Sequence, residues 1–321
     1  MSSGELQVRV ASKRDEALDI RTFELVRDDD RPLPAFSAGS HVDVHLPNGL
    51  IRQYSLCNEP GESHRYLIGV LRDPHSRGGS RAMHDQVGEG DLLTISAPKN
   101  HFPLASGANH SILLAGGIGV TPLLCMAERL AVTGASFEMH YCTRSRERTA
   151  FFQRIQGASF APRVAFHHDD GPEAQKLDLD TLLRVPRPGV HLYVCGPKGF
   201  MDWVLGRARE CGWAAGQLHY EFFTAEVVKS DSDAAFEVQL ASSGKVVIVP
   251  KEMTVVQALA AAGIEVSTSC EQGICGTCLT RVLEGEPDHK DLYLTPEEQA
   301  VNDQFTPCCS RARSPRLVLD L

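Results

Sequence analysis

The sequence predicts a multidomain protein. An antiparallel β-barrel stands at the N-terminus, a parallel α/β domain in the middle and a small β-rich domain at the C-terminus. Three observations carry this. Residues 6–104 break into short alternating apolar runs separated by Gly, Pro, Asn and Asp, the pattern of antiparallel strands. Two stretches, ILLAGGIGVTPLLCMAERLA and HLYVCGPKGFMDWVLGRARE, each pass from an apolar strand through a glycine turn into a helix, and such alternation builds a parallel sheet. Five of the ten cysteines fall after residue 269.

The bulk properties bound the reading. A chain of 321 residues fits two or three domains. The net charge of −9 argues against nucleic acid, whose phosphates would repel it. No apolar run is long enough to span a membrane, and MSSGELQVRVASKRDE lacks the apolar core of a signal peptide. A cytoplasmic protein is expected, with reduced thiols rather than disulfides. Cys57, Cys125, Cys142, Cys195 and Cys211 stand alone; at least four of them read as small buried hydrophobes.

In the N-terminal third, LQVRVASKR, DIRTFELVR, HVDVHLP, LIRQYSLC, YLIGVLR and DLLTISAP read as the barrel strands. Within LIRQYSLC, strand alternation sends Arg52 and Tyr54 to the same side. A tyrosine can stack on a flat ring, and an arginine fork can pair with phosphate. Alone, the tetrapeptide Arg52-Gln53-Tyr54-Ser55 is equally an edge-strand Arg beside a core Tyr. A second stretch, LRDPHSRGGSRAMHD, sets Arg77, Gly78, Gly79 and Ser80 just ahead of a helix. Two glycines and a serine there can form an N–H cradle for phosphate.

In the middle third, SFEMHYCTRSRER and RVAFHHDDG supply further strands. Gly116-Gly117-Ile118-Gly119-Val120-Thr121-Pro122 is not the Rossmann fingerprint, because Pro122 stands where the third glycine belongs. Pro122 suits a first helical turn, whose free N–H groups can meet phosphate or ribose. One such turn alone is also an ordinary strand–helix connection. Ligands of parallel sheets bind at the carboxyl ends of strands, where Arg144 and Arg146 could hold a 2′-phosphate; the alternative is a solvated surface charge.

The C-terminal loop SCEQGICGTCL is the most specific signal. Cys270-x4-Cys275-x2-Cys278, with a further cysteine downstream at Cys308 or Cys309, matches the plant-type spacing for a 2Fe–2S cluster. Zinc sites usually pair their thiols two and two, which this pattern does not. Gly273 and Gly276 allow backbone N–H groups to turn toward the sulfides, and a bulky residue at either would obstruct that approach. Adjacent residues of an extended segment point apart, so Cys308 and Cys309 cannot both be ligands. FEVQLASSGKVVIVPKEMTVVQALAAAGIEV reads as strand, turn, strand and Ala-rich helix, and RLVLDL as a closing strand.

These motifs, in this order, resemble the phthalate dioxygenase reductase family, which joins a ferredoxin–NAD(P) reductase core to a plant-type ferredoxin domain of β-grasp fold. The resemblance implies four parts: an FMN-binding barrel (1–104), an NADH-binding α/β domain (105–225), a linker (226–235) and a 2Fe–2S ferredoxin domain (236–321). It assigns flavin contacts to Arg52, Gln53, Tyr54, Ser55, Gly69, Val70, Leu71, Arg77, Gly78, Gly79, Ser80 and Phe223, leaving Phe222 to core packing. Nucleotide contacts go to Gly117, Gly119, Val120, Thr121, Arg144, Cys195, Gly196, Pro197 and Met201. Ser55, Thr121 and Phe223 lie where hydride passes, and Cys270, Cys275, Cys278 and Cys308 hold the cluster. With no barrel extension to house adenine, FMN is expected rather than FAD. The implied function is the reductase component of a Rieske-type dioxygenase or O-demethylase system, acting as a monomer. Electrons would run from NADH through FMN and the cluster to the oxygenase, near which Glu271 is either a docking residue or a surface charge. The alternatives are a stand-alone or P450-serving flavin/iron–sulfur reductase and a non-enzymatic redox carrier or sensor.

Overall fold

The computed structural model describes residues 5–29, 31–223 and 233–321. The chain divides into two compact units, Met1–Phe223 and Thr224–Leu321. In the first, six strands curl into an antiparallel barrel: β1 (Glu5–Ala17), β2 (Ile20–Arg27), β3 (Ser40–His45), β4 (Ile51–Ser55), β5 (Tyr66–Leu71) and β6 (Leu92–Ser96). Their spatial order is β4-β3-β6-β1-β2-β5. A two-residue strand, β7 (Lys99–Asn100), adds to β3, and helix α1 (Gly79–Gln86) connects β5 to β6. All six predicted runs fall on these strands. One residue past β4, Leu56 bridges Ile68 of β5, so the two sheet edges meet instead of standing open. The inward set, including Val8, Val10, Phe23, Leu25, Val42, Val44 and Ile95, is fully buried, as period-two alternation requires.

The same unit holds a five-stranded parallel sheet: β8 (His110–Gly116), β9 (Phe137–Thr143), β10 (Val164–His168), β11 (Val190–Cys195) and β12 (Leu218–Glu221), in the order β10-β9-β8-β11-β12. Its helices are α2 (Val120–Val132), α3 (Phe152–Gly157), α4 (Leu179–Leu183) and α5 (Lys198–Glu210). Leu113 and Ala115 of β8 face α2, whereas Ile112 and Leu114 face α5. Burial on both faces explains why β8 reads as an unbroken apolar run rather than an alternating one. Ile20, Ala38, Cys57 and Phe102 of the barrel region join the α2 cluster, so the two sheets share one core. Of the isolated cysteines, Cys57, Cys125 and Cys195 are buried while Cys142 and Cys211 are half-buried. The expected four core thiols are therefore three.

The second unit contains β13 (Phe236–Leu240), β14 (Val246–Val249), α6 (Val255–Ala261), β15 (Thr280–Glu284), β16 (Pro287–Asp288), α7 (Pro296–Val301), β17 (Gln304–Phe305), β18 (Arg311–Ala312) and β19 (Arg316–Leu319). The mixed sheet runs β14-β13-β19-β15-β17, with its first and last long strands, β13 and β19, parallel at the centre. Helix α6 lays Val255, Ala258 and Leu259 on Phe236, Val238, Val249 and Leu317. Its start is fixed by a capping box between Thr254 and Gln257. This is the expected β-grasp arrangement. The expected linker, 226–235, lies for the most part outside the described residues. Among the described residues no helix is long and apolar enough to cross a membrane.

Candidate functional site

The parallel sheet positions the first part of the site. From β8 the chain builds outward to β9 and β10, then returns to place β11 on the other side of β8. Such a reversal leaves a crevice at the carboxyl ends of the two central strands. Both predicted glycine turns stand there. Gly117–Gly119 forms a single 3-10 turn leading into α2, and Cys195-Gly196-Pro197 leads into α5. The turns touch backbone to backbone. A Cβ on Gly119 would strike the Cys195 carbonyl group and come to 2.6 Å from the Gly196 nitrogen; only glycine allows that approach. Thr121 is 2% exposed. Its hydroxyl donates to the Ile118 carbonyl at 3.1 Å. Its methyl packs against β5, where a Cβ on Gly69 would lie 3.0 Å away. Val120 and Met201 have fully buried side chains, so they support the turns from beneath.

A polar pair adjoins the crossing, Ser55 buried and Glu221 half-buried. The Ser55 hydroxyl, at the end of β4, donates to Glu221 Oε2 at 3.4 Å. Glu221 ends β12 in register with Cys195. Burial of the carboxyl group pushes its pKa up to about 8, against the opposing pull of the Ser55 hydrogen bond. The Cys195 thiol is raised well above its ordinary range, first by burial and then by the Glu221 charge. Sequence reading passed over Glu221. The signal was present in position alone: Glu221 stands two residues before Phe223 in HYEFF. Phe223 packs on the cluster of Ala115 and Val120, and Phe222 on the opposite one.

The barrel supplies a cradle. Gly78 precedes α1 at φ 100°. The Arg52 side chain lies across the start of the helix, where a Cβ on Gly79 would be 2.6 Å from Arg52 Cγ and 2.8 Å from Nε. The first turn of α1 has no side-chain cap. Its free N–H groups and positive dipole end therefore stand beside a guanidinium, a combination suited to an anion. Ser80 Oγ accepts from the Asp73 N–H at 3.2 Å, and Arg77 is exposed. Tyr54 packs on the barrel core, and burial raises its phenol. Gln53 turns away from the cradle: its amide donates to Asp43 Oδ1 at 2.9 Å, and Asp43 pairs with Lys99 at 2.6 Å. Val70 and Leu71 follow Gly69 along β5.

Arg144 is exposed just beyond β9. The Asp169 N–H donates to the Thr143 carbonyl at 3.0 Å and the Asp170 N–H to the Arg144 carbonyl at 3.2 Å. Two exposed carboxylates thus stand in the turn after β10, beside Arg144. The Arg146 guanidinium is engaged over the Phe152 ring at 3.9 Å.

In the second unit, Cys270, Cys275, Cys278 and Cys308 are 7%, 6%, 4% and 4% exposed. Cys270 shares hydrogen bonds with Cys275 and Cys308, and Cys278 shares one with Cys308. The Gln272 N–H reaches Cys270 Sγ at 3.4 Å, and the Ile274 N–H points at the same sulfur. Cys309 packs instead on the Thr306 hydroxyl at 3.3 Å, though it also touches Cys308. Among the described residues no three metal-binding side chains close around one ion position. The four thiols form one chain of neighbours, Cys275 to Cys270 to Cys308 to Cys278, so a single loop and one downstream cysteine can share a cluster. Gly276 has φ 68°, and a Cβ there would strike the Tyr293 ring. The obstacle to a larger residue is therefore packing behind the loop as well as backbone conformation.

Comparison with known proteins agrees. Residues 238–313 match the family described as a 2Fe-2S iron-sulfur cluster binding domain. The chain is 58% identical over 313 residues to the vanillate O-demethylase oxidoreductase of Pseudomonas putida, covering 97% of this chain and 98% of that one. It is similar to the structure of phthalate dioxygenase reductase, described as modular for electron transfer from pyridine nucleotides to a 2Fe–2S centre. That likeness has a TM-score of 0.77 and 40% identity, over 99% of this chain and 98% of that one. It is also similar to an intact type IV self-sufficient cytochrome P450 monooxygenase, with a TM-score of 0.87 and 38% identity, over 99% of this chain and 41% of that one. Fold, site and comparisons define an electron-transfer oxidoreductase that uses a pyridine nucleotide, FMN and a 2Fe–2S cluster. The chain belongs to the phthalate dioxygenase reductase family, the reductase components of oxygenase systems.

Proposed function

We propose that the chain carries electrons from NADH to a Rieske-type oxygenase acting on an aromatic methoxy acid such as vanillate. One observation carries the residue-level reading: Gly119, Cys195, Glu221 and Ser55 form an unbroken line of neighbours, linking the glycine crossing of the parallel sheet to the barrel. On this reading residues 1–104, 105–225 and 236–321 act as flavin, nucleotide and ferredoxin modules joined by 226–235. The molecule works as a monomer in the cytoplasm.

Arg52 and the N–H groups of Gly79 and Ser80 hold the FMN phosphate, with Arg77 adding charge at the rim. Tyr54 and Phe223 pack against the ring, and the β5 backbone at Gly69, Val70 and Leu71 borders its edge. Bound flavin supplies the conversion of a two-electron hydride into single electrons, which a one-electron cluster needs. Thr121 and the Cys195-Gly196-Pro197 turn orient the nicotinamide. Orientation is most of the catalysis, because reacting atoms must sit about 3–3.5 Å apart. Ser55 and Glu221 keep a proton available at the buried end: with its carboxyl raised to about 8, Glu221 is mostly protonated at neutral pH. Asp169 and Asp170, flanking Arg144, disfavour a 2′-phosphate and support NADH over NADPH. Cys270, Cys275, Cys278 and Cys308 would hold the cluster, with the Gln272 and Ile274 N–H groups donating to the Cys270 sulfur.

A second reading, in which the acceptor is a P450 haem domain, is supported by the likeness to the P450 monooxygenase. The near full-length 58% identity to a vanillate O-demethylase oxidoreductase favours the first. The test is anaerobic mixing of the NADH-reduced protein with a purified Rieske oxygenase or a P450 haem protein. Reoxidation by the Rieske protein alone, and faster reduction by NADH than by NADPH, is the expected result. Transfer to the haem protein alone would establish the second reading.

A further inference from the structure

His84 lies in the last turn of α1 and is 5% exposed. Its ring Nε2 is 2.9 Å from the Val70 carbonyl oxygen. A carbonyl only accepts, so Nε2 carries the proton. The backbone oxygen of the same residue accepts from Lys13 Nζ at 2.7 Å and Arg21 Nη1 at 3.0 Å. One residue thus ties α1 to β5 through its ring and to β1 and β2 through its carbonyl.

The tie matters because of what the joined elements carry. Helix α1 presents Gly79 beneath Arg52, and β5 presents Gly69 against Thr121. A helix of eight residues does not hold itself in water, so its anchors fix where its N-terminus points. Other ties between α1 and the segment after β5 are more exposed: Arg72 with Asp85 at 2.9 Å, both about half exposed, Arg81 with the Pro74 carbonyl at 3.3 Å, and the Asp73 N–H with Ser80 Oγ. We propose that His84 is a positioning residue for flavin, holding the N–H cradle of α1 in register with the β5 edge so that phosphate and ring bind as one ligand. This rests on the FMN reading given above.

The surroundings add a pH dependence. Lys13 of β1, Arg21 of β2 and Arg72 after β5 face His84, together with Asp15 of β1 and the neighbouring Asp85 of α1. Burial holds the imidazole below its ordinary pKa, opposed by the hydrogen bond to Val70 and assisted by the three cations. A depressed histidine contributes stability at pH above the ordinary value, and that contribution is lost as the pH falls toward the folded value. Acid should therefore weaken the site, not by breaking the bond to Val70, which the imidazolium still donates, but by placing a buried charge among Lys13, Arg21 and Arg72.

The experiment measures FMN and riboflavin binding to the flavin-free protein by fluorescence quenching. Riboflavin lacks the phosphate, so the ratio of the two affinities reads the cradle. His84→Leu should lower the FMN preference about tenfold, the weight of one buried hydrogen bond. His84→Gln, which keeps a donor, should stay near wild type. An unchanged preference in His84→Leu, with wild type still favouring FMN, would overturn the role of His84. Equal binding of FMN and riboflavin to wild type would instead overturn the phosphate site. Should His84→Leu not fold, wild type and His84→Gln are compared from pH 7.5 to pH 5.5. The preference should fall more steeply in wild type, since glutamine cannot titrate; superimposable curves would refute the proposal.

Discussion

Glu221→Gln is the substitution whose consequence is most tightly set by the structure. Glutamine keeps the size of the side chain and an acceptor for Ser55 but cannot ionise. In the wild-type chain the Glu221 carboxyl rises from 4.5 to about 8 through burial. The folded state therefore holds this proton more tightly than the unfolded one, and stability falls as the pH rises across that interval. Each pKa unit is worth about 1.4 kcal/mol, so the ceiling is about 5 kcal/mol. The residue as a whole keeps partial exposure, so a loss of about 2–4 kcal/mol relative to Glu221→Gln between pH 4.5 and pH 9 is expected. Urea unfolding of the flavin-free protein, followed by tryptophan fluorescence, measures it. Both tryptophans, Trp203 and Trp213, lie in the first unit, so the signal does not report the ferredoxin part. Parallel stability–pH curves for the two proteins would show that Glu221 ionises normally and would remove the argument for a stored proton.

Two further substitutions test the metal and nucleotide parts. Cys308→Ser should lose most of its iron while Cys309→Ser keeps it, because Cys309 packs on Thr306; the opposite pattern of iron content would reverse the ligand choice. Gly119→Ala should slow flavin reduction by NADH on the order of a hundredfold by parting the two turns, since misplacement of about 1 Å costs that much. Its iron content should not change, and an undiminished rate would mean that the crossing does not place the nicotinamide.

Much of the fold is legible in the residue pattern alone. The barrel strands, the parallel sheet and the thiol loop follow from local rules: period two, strand–glycine–helix punctuation and ligand spacing. What escaped depended on contacts distant in sequence. Glu221 acquires its character only because Ser55, far away in the chain, meets it and burial surrounds both. His84 sits in an ordinary helical run, and only the fold brings Val70, Lys13 and Arg21 to it. Met201 and Gln53 show the converse. The motif names them, yet the fold puts Met201 among core side chains and commits Gln53 to Asp43. Residue pattern identifies which backbone segments form a site; side-chain direction is decided by packing.

The central claim is that one chain passes electrons from nicotinamide through flavin to iron and sulfide. Anaerobic titration of the purified protein with NADH, followed by low-temperature electron paramagnetic resonance, tests it most directly. The account predicts flavin bleaching together with the rhombic signal of a reduced 2Fe–2S cluster. Bleaching with no cluster signal at any NADH concentration, in protein carrying its full iron and sulfide, would contradict it.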